Sequence, residues 1–170
     1  MHVDRMRVLR EGFVAGLIGA AIVAAFFGVV NVFGGHSPFY TVDRLGRALV
    51  GTAPAGGPGS AAGPALAYNG LHLLVFLLIG FALAWLTAKT EQHPAFWYLA
   101  FFGLVAAFIY DFFFVMMLAG RATGELPWAQ VAVGSLLAAV GMVGYLLRMH
   151  PDLRRTAGEG ADPESRVRRT

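Results

Sequence analysis

Cysteine is absent from the chain. That excludes disulfides, thiolate metal sites, iron–sulfur clusters and cysteine nucleophiles. Charge is scarce as well: Asp, Glu, Lys and Arg make up 14% of the 170 residues, against 57% hydrophobic. One soluble core of this size cannot hide that much apolar surface, so the bilayer is the expected solvent. Catalytic signatures are missing too, with no P-loop, GxSxG, HExxH or CxxC pattern. The Gly-rich stretch before Pro64 neither follows a strand nor opens a helix with lysine, so it is no phosphate loop. The chain reads as a non-enzymatic protein without a cofactor, leaving histidine, carboxylate, methionine and tyrosine as its chemistry.

A hydrocarbon core about 30 Å thick needs roughly 20 apolar residues of helix. Four stretches qualify, 12–33, 65–88, 94–119 and 128–147, and the one formal charge within them is Asp111. Gly34-Gly35 stops the first, Pro94 and Pro127 open the third and fourth, and Pro151 closes the last. The expected fold is all-α: a polytopic membrane protein built as a bundle of four transmembrane helices. Arg5, Arg7 and Arg10 before the first run suggest a signal peptide as an alternative, but the run is too long for one and lacks a clear cleavage site.

Ten of the 13 Lys and Arg residues fall in the N-terminus, the 89–93 turn and the segment from Arg148 onward. The positive-inside bias puts these in the cytoplasm, with both termini, which implies a cytoplasmic (inner) membrane location. Placed at segment ends, the basic residues fit membrane topology and not nucleic acid. Trp85, Trp97, Tyr98 and Tyr145 would form the inner aromatic belt and Trp128 the outer one. Within the long outer loop, 34–64, Val42, Leu45 and Leu49 recur at helical spacing opposite Asp43, Arg44 and Arg47. This predicts a short amphipathic helix on the outer surface, with Thr41 as a cap. Residues 51–64 follow as a tether, and 150–170 read as a disordered cytoplasmic tail.

Lipid removes the hydrophobic drive between helices, so small residues that let backbones approach are the expected seams. Helix one carries Gly12, Gly16, Ala20, Ala24 and Gly28 at intervals of four. Gly80 and Ala84 serve on the second span, Gly134 and Ala138 on the fourth. On the third, Ala100, Gly103 and Ala107 share a stripe with Asp111, which aims the charge inward.

At about 1.5 Å of rise per residue, His72, Asp111 and Ser135 fall about 10 to 13 Å below the outer surface, and Asn31 and Asn69 about 5 Å below it. With Tyr68 they form one intramembrane polar layer fed by all four spans, while the inner half offers only Thr87. An ionised Asp in hydrocarbon costs about 2.5 to 3.5 kcal/mol on insertion scales, so a partner is required, and His72 is the nearest candidate. One reading is a network that only orients the bundle. A second is a proton, cation or small-solute site at a His72/Asp111 pair, although no polar path leads onward to the cytoplasm. A third is an outer-leaflet copper or haem site with His36, His72, Met116 and Met117 as weak candidate ligands. Glu11 is expected to open helix one and to pair with Arg10 or Arg148. His93 and His150 are expected to be ordinary polar helix ends.

Arg10-Glu11-Gly12, the Ser37-Pro38-Phe39-Tyr40-Thr41 turn followed by Leu45-Gly46, His72, Asp111-Phe112-Phe113-Phe114 and Arg148-Met149-His150-Pro151 give the chain its family look. It resembles uncharacterised small four-helix integral membrane proteins of environmental bacteria over most of residues 10–151. The resemblance implies a bacterial membrane protein with a shared bundle and brings no activity, ligand or partner. The resulting expectation is an accessory membrane module that contacts the lipid bilayer and forms a homo-oligomer or joins a larger membrane complex. A small transporter or proton-linked carrier is the alternative.

Overall fold

The computed structural model of the protein describes residues 5–51, 62–92, 96–121 and 128–151. Among them the structure is all-helical, in five elements: α1 (Arg5–Phe33), α2 (Tyr40–Val50), α3 (Ala62–Gln92), α4 (Phe96–Arg121) and α5 (Trp128–Met149). Three helices, Arg5–Phe33, Gly63–Glu91 and Trp128–Met149, are long and apolar enough to cross a membrane. On α4 the apolar stretch is Phe101–Met117, about 25 Å of helix. Pro94, Pro127, most of the 51–64 tether and nearly all of the 150–170 tail lie outside the described residues.

Helix α1 begins at Arg5, well before the apolar run. No breaker stands between Arg5 and Gly12, and the i,i+4 pair of Arg7 with Glu11, Nε to Oε1 at 2.9 Å, supports the added turns. Glu11 therefore lies inside the helix and does not open it. At the other end α1 stops in a Schellman turn. The His36 amide donates to the Asn31 carbonyl at 2.9 Å and the Gly35 amide to Val32 at 3.0 Å. Gly35 supplies the required left-handed backbone, φ +74°.

Helix α1 makes its main contact with α3 and its next with α5, while α4 packs on α3 and α5. The α1–α3 crossing is a backbone-to-backbone seam. A Cβ on Gly80 would meet the Gly12 carbonyl and lie 2.6 Å from the Gly16 nitrogen, and one on Gly16 would lie 2.7 Å from the Phe76 carbonyl. Ala84 is fully buried beyond it. Gly19 receives Phe76 of α3 and Met142 of α5, Gly134 of α5 receives Phe26, and Ala138 is buried. The small-residue row of α1 divides at its middle: Gly12, Gly16 and Ala20 are buried, Ala24 is exposed, and Gly28 faces open space. On α4, Gly103 nears Leu86 and Ala107 lines a small half-open cavity, while Phe101, Phe102 and Phe113 are exposed. The Ala100 side chain lies outside the described ones.

Helix α2 folds onto the start of α3 and also reaches α4 and α1. Leu45 is buried against Ala48, Leu49 and Tyr68, and Gly46 is seated on the Pro64 carbonyl, where a Cβ would collide. Asp43 and Arg47 pair at 3.0 Å on the exposed side. Thr41 does not cap this helix: Phe39 holds the cap position, and no side chain caps there.

Candidate functional site

The predicted polar residues separate into three groups. Asn31 is buried at the base of the α1–α2 turn, where its Nδ2 donates to the Pro38 carbonyl at 3.0 Å and its Oδ1 accepts from the Thr41 hydroxyl at 2.9 Å. It fastens α2 to α1 and does not join Asp111. Asn69 is exposed. Asn31→Ala removes both fasteners, one buried and one part-buried bond, each of about 1 kcal/mol net. The amides of 40–50 are expected to exchange with solvent several-fold faster in hydrogen–deuterium exchange while those of α3 hold.

Asp111 and Ser135 do meet, Ser135 Oγ donating to Asp111 Oδ2 at 2.8 Å across α4 and α5. Both residues line a cavity of about 30 Å³ whose walls are apolar and include Phe76, Leu104, Ala107, Ala138 and Met142. Of these, Leu104 lies seven positions before Asp111, about 10 Å along α4 toward the end where α1 begins and α5 ends.

His72 sits in a column of rings on α3. It stacks on Tyr68 with centroids 5.7 Å apart and tilts against Phe76 at 4.8 Å. Its ring lies beside the backbone of Ala20 on α1. Tyr68 and His72 both lie within electrostatic reach of Asp111. Among the described residues, however, the hydrogen-bond partner of Asp111 is Ser135 and not His72. Because α2 packs Leu45 on Tyr68, the column runs from beneath α2 to the cavity wall at Phe76.

A second polar group lies at the opposite, terminal end. His150 is fully buried just past α5, its Nε2 2.9 Å from Glu11 Oε2 and its Nδ1 against Glu91 Oε1. Arg7 bonds Glu11 and approaches Glu91 Oε2 at 3.7 Å, and its Nη2 donates to the Met149 carbonyl at 3.3 Å. Arg7 Nη2 also lies 3.2 Å from His150 Nδ1, so Arg7, Glu11, Glu91 and His150 form one polar node that joins α1, α3 and α5. Thr90 is buried nearby on α3, donating to the Leu86 carbonyl at 2.9 Å.

This node corrects two expectations. The partners of Glu11 are Arg7 and His150, not Arg10 or Arg148, and His150 is a buried bridge and not an ordinary polar helix end. Applying the depth count to the terminal end as well would have found the node, because Glu11, Glu91 and His150 all fall at one level.

The weak ligand candidates are dispersed among separate neighbours. His36 is exposed and stacked on Tyr40 at 4.2 Å, Met117 is exposed, and Met116 is half-buried on α4. The terminal node is no substitute, because its two carboxylates address opposite nitrogens of one ring. Among the described residues, no group of three or more His, Asp or Glu side chains could hold a metal ion. In comparisons with family models, curated proteins and solved structures, the chain matches none.

Proposed function

We propose that the protein is a four-span integral protein of the bacterial cytoplasmic membrane, with both termini cytoplasmic and α2 an amphipathic helix over the outer end. In this reading it is a non-enzymatic accessory module that assembles with a second copy or within a larger membrane complex. The observation that carries the reading is that, among the described residues, every fully buried side-chain nitrogen and oxygen has a hydrogen-bond partner. Polar groups satisfied in this way fix helix register and leave little unspent for substrate. The broad apolar exposure on α4 and α5, including Phe102, Phe113, Leu136 and Val140, supports contact with lipid or with neighbouring helices. Light scattering of the protein in lipid nanodiscs or mild detergent is expected to give one defined oligomer or a stoichiometric complex. A strictly monomeric particle without a partner removes the proposal.

The cavity beside Asp111 and Ser135 favours one second reading, a proton-linked carrier. Asp111→Asn keeps the shape and the Ser135 bond while removing the titratable charge. For a carrier, Asp111→Asn abolishes proton-coupled flux in proteoliposomes at unchanged thermal stability. For a structural network, no flux exists to lose, and the effect of the variant is confined to stability.

A further inference from the structure

The terminal node governs the charge of the face around it. Five Lys and Arg side chains are described at this end: Arg5, Arg7 and Arg10 on α1, Lys89 on α3 and Arg148 on α5. Two carboxylates are described there, Glu11 and Glu91, and both are taken by Arg7 and His150. Arg10 precedes Glu11 by one residue and Lys89 precedes Glu91 by two, spacings that turn helical side chains away from each other. Arg5, Arg10 and Arg148 are exposed, Lys89 is half-buried, and none of the four has a carboxylate partner among the described residues.

We propose that this end is a binding face for anionic phospholipid headgroups, with Arg5, Arg10, Lys89 and Arg148 as its cations. The inference rests on the membrane reading above and adds to it a lipid preference. Five Lys and Arg side chains against two carboxylates give the face its sign, and the pairing decides where the free charge stands. Because Glu11 and Glu91 are engaged from within the helices by Arg7 and His150, the other four cations are left around the rim. They sit where three apolar helices end, the level at which a spanning helix meets headgroups, and spread over separate helices. That distribution suits a layer of lipid phosphates more than one compact anion.

Trp85 is a natural reporter, since it is partly exposed on α3 one turn before Lys89. In a W97F/W128F background it is the only tryptophan of the full chain. The protein is reconstituted in vesicles containing either brominated phosphatidylglycerol or brominated phosphatidylcholine, and quenching of Trp85 gives the relative occupancy of the two lipids. About one kcal/mol per basic residue near the surface corresponds to about a fivefold preference for each effective contact. A preference of about fivefold or more for the anionic lipid is therefore expected at low salt. It should fall toward unity in 0.5 M NaCl and, at low salt, in the R5Q/R10Q/R148Q variant. The salt arm uses the unaltered face, so it stands even if that variant folds poorly.

Equal quenching by the two lipids overturns the proposal, as does a preference that survives both neutralisation and salt. Flotation separates this failure from that of the membrane reading. Protein that integrates into both vesicles without preference removes the lipid face alone, whereas protein that integrates into neither removes the membrane reading and the lipid face together.

Discussion

Glu11→Leu is expected to cost about 3 to 5 kcal/mol of stability, His150→Leu a similar amount, and the double variant E11L/H150L much less than either. Each single change removes one partner from a buried polar contact. Without Glu11, the His150 ring loses one of its two carboxylate partners and Arg7 loses its closest carboxylate. Without His150, the carboxylate of Glu11, only 3% exposed, keeps Arg7 alone, and Glu91 loses its nearest donor. Removing both fully buried members together leaves Arg7 and Glu91, which are 39% and 30% exposed and already approach each other at 3.7 Å. That pair can stay solvated at the rim while two leucines fill the space. A double-mutant cycle, followed by tryptophan fluorescence through denaturation in mixed micelles, reads the coupling directly. Additive losses would mean that Glu11 and His150 act separately and that the node is not a unit.

The node also shows where reading the sequence succeeds and where it stops. Apolar length and flanking punctuation made the all-helical architecture and the long apolar helices legible, because every residue of a 20-residue run contributes to the same signal. Helix ends were less legible. The extension of α1 to Arg5 depends on Arg7 finding Glu11 one turn on, a local gain that hydropathy does not register. For polar side chains, depth was legible and direction was not. Ser135 and Asp111 share a level and meet. His72 shares the level too, yet its ring lies in the Tyr68–Phe76 column and beside the Ala20 backbone. Asn69 shares the level of Asn31 and points outward. The angular position of a residue on its helix is fixed by the crossing of backbones, and a rise per residue contains no angle. In the same way the Gly12 to Gly28 row looked continuous in sequence, but α3 meets only its first half, and the second half passes beyond the crossing.

That crossing makes Gly80→Ala a damaging change despite its small size. A single methyl there would collide with the Gly12 carbonyl and stand 2.6 Å from the Gly16 nitrogen and 2.9 Å from its Cα. All three are backbone atoms and cannot rotate aside, so α1 and α3 must separate along their largest shared surface. Overpacking of a well-filled core costs about 1 to 3 kcal/mol, and the upper part of that range is expected because the strain is not relieved locally. Glu11 and Glu91 lie beyond the same seam on the same two helices, so separation also lengthens the bonds of the terminal node. Gly28→Ala is the matched control, since nothing lies within 4 Å of a Cβ there and alanine suits a helix better by about 1 kcal/mol. Thermal scans of the two variants should therefore move in opposite directions. In the E11L/H150L background, Gly80→Ala should cost less than in the parent, because the bonds that separation would strain are already gone. An equal cost in both backgrounds would show that the seam and the node bear on α1 and α3 independently.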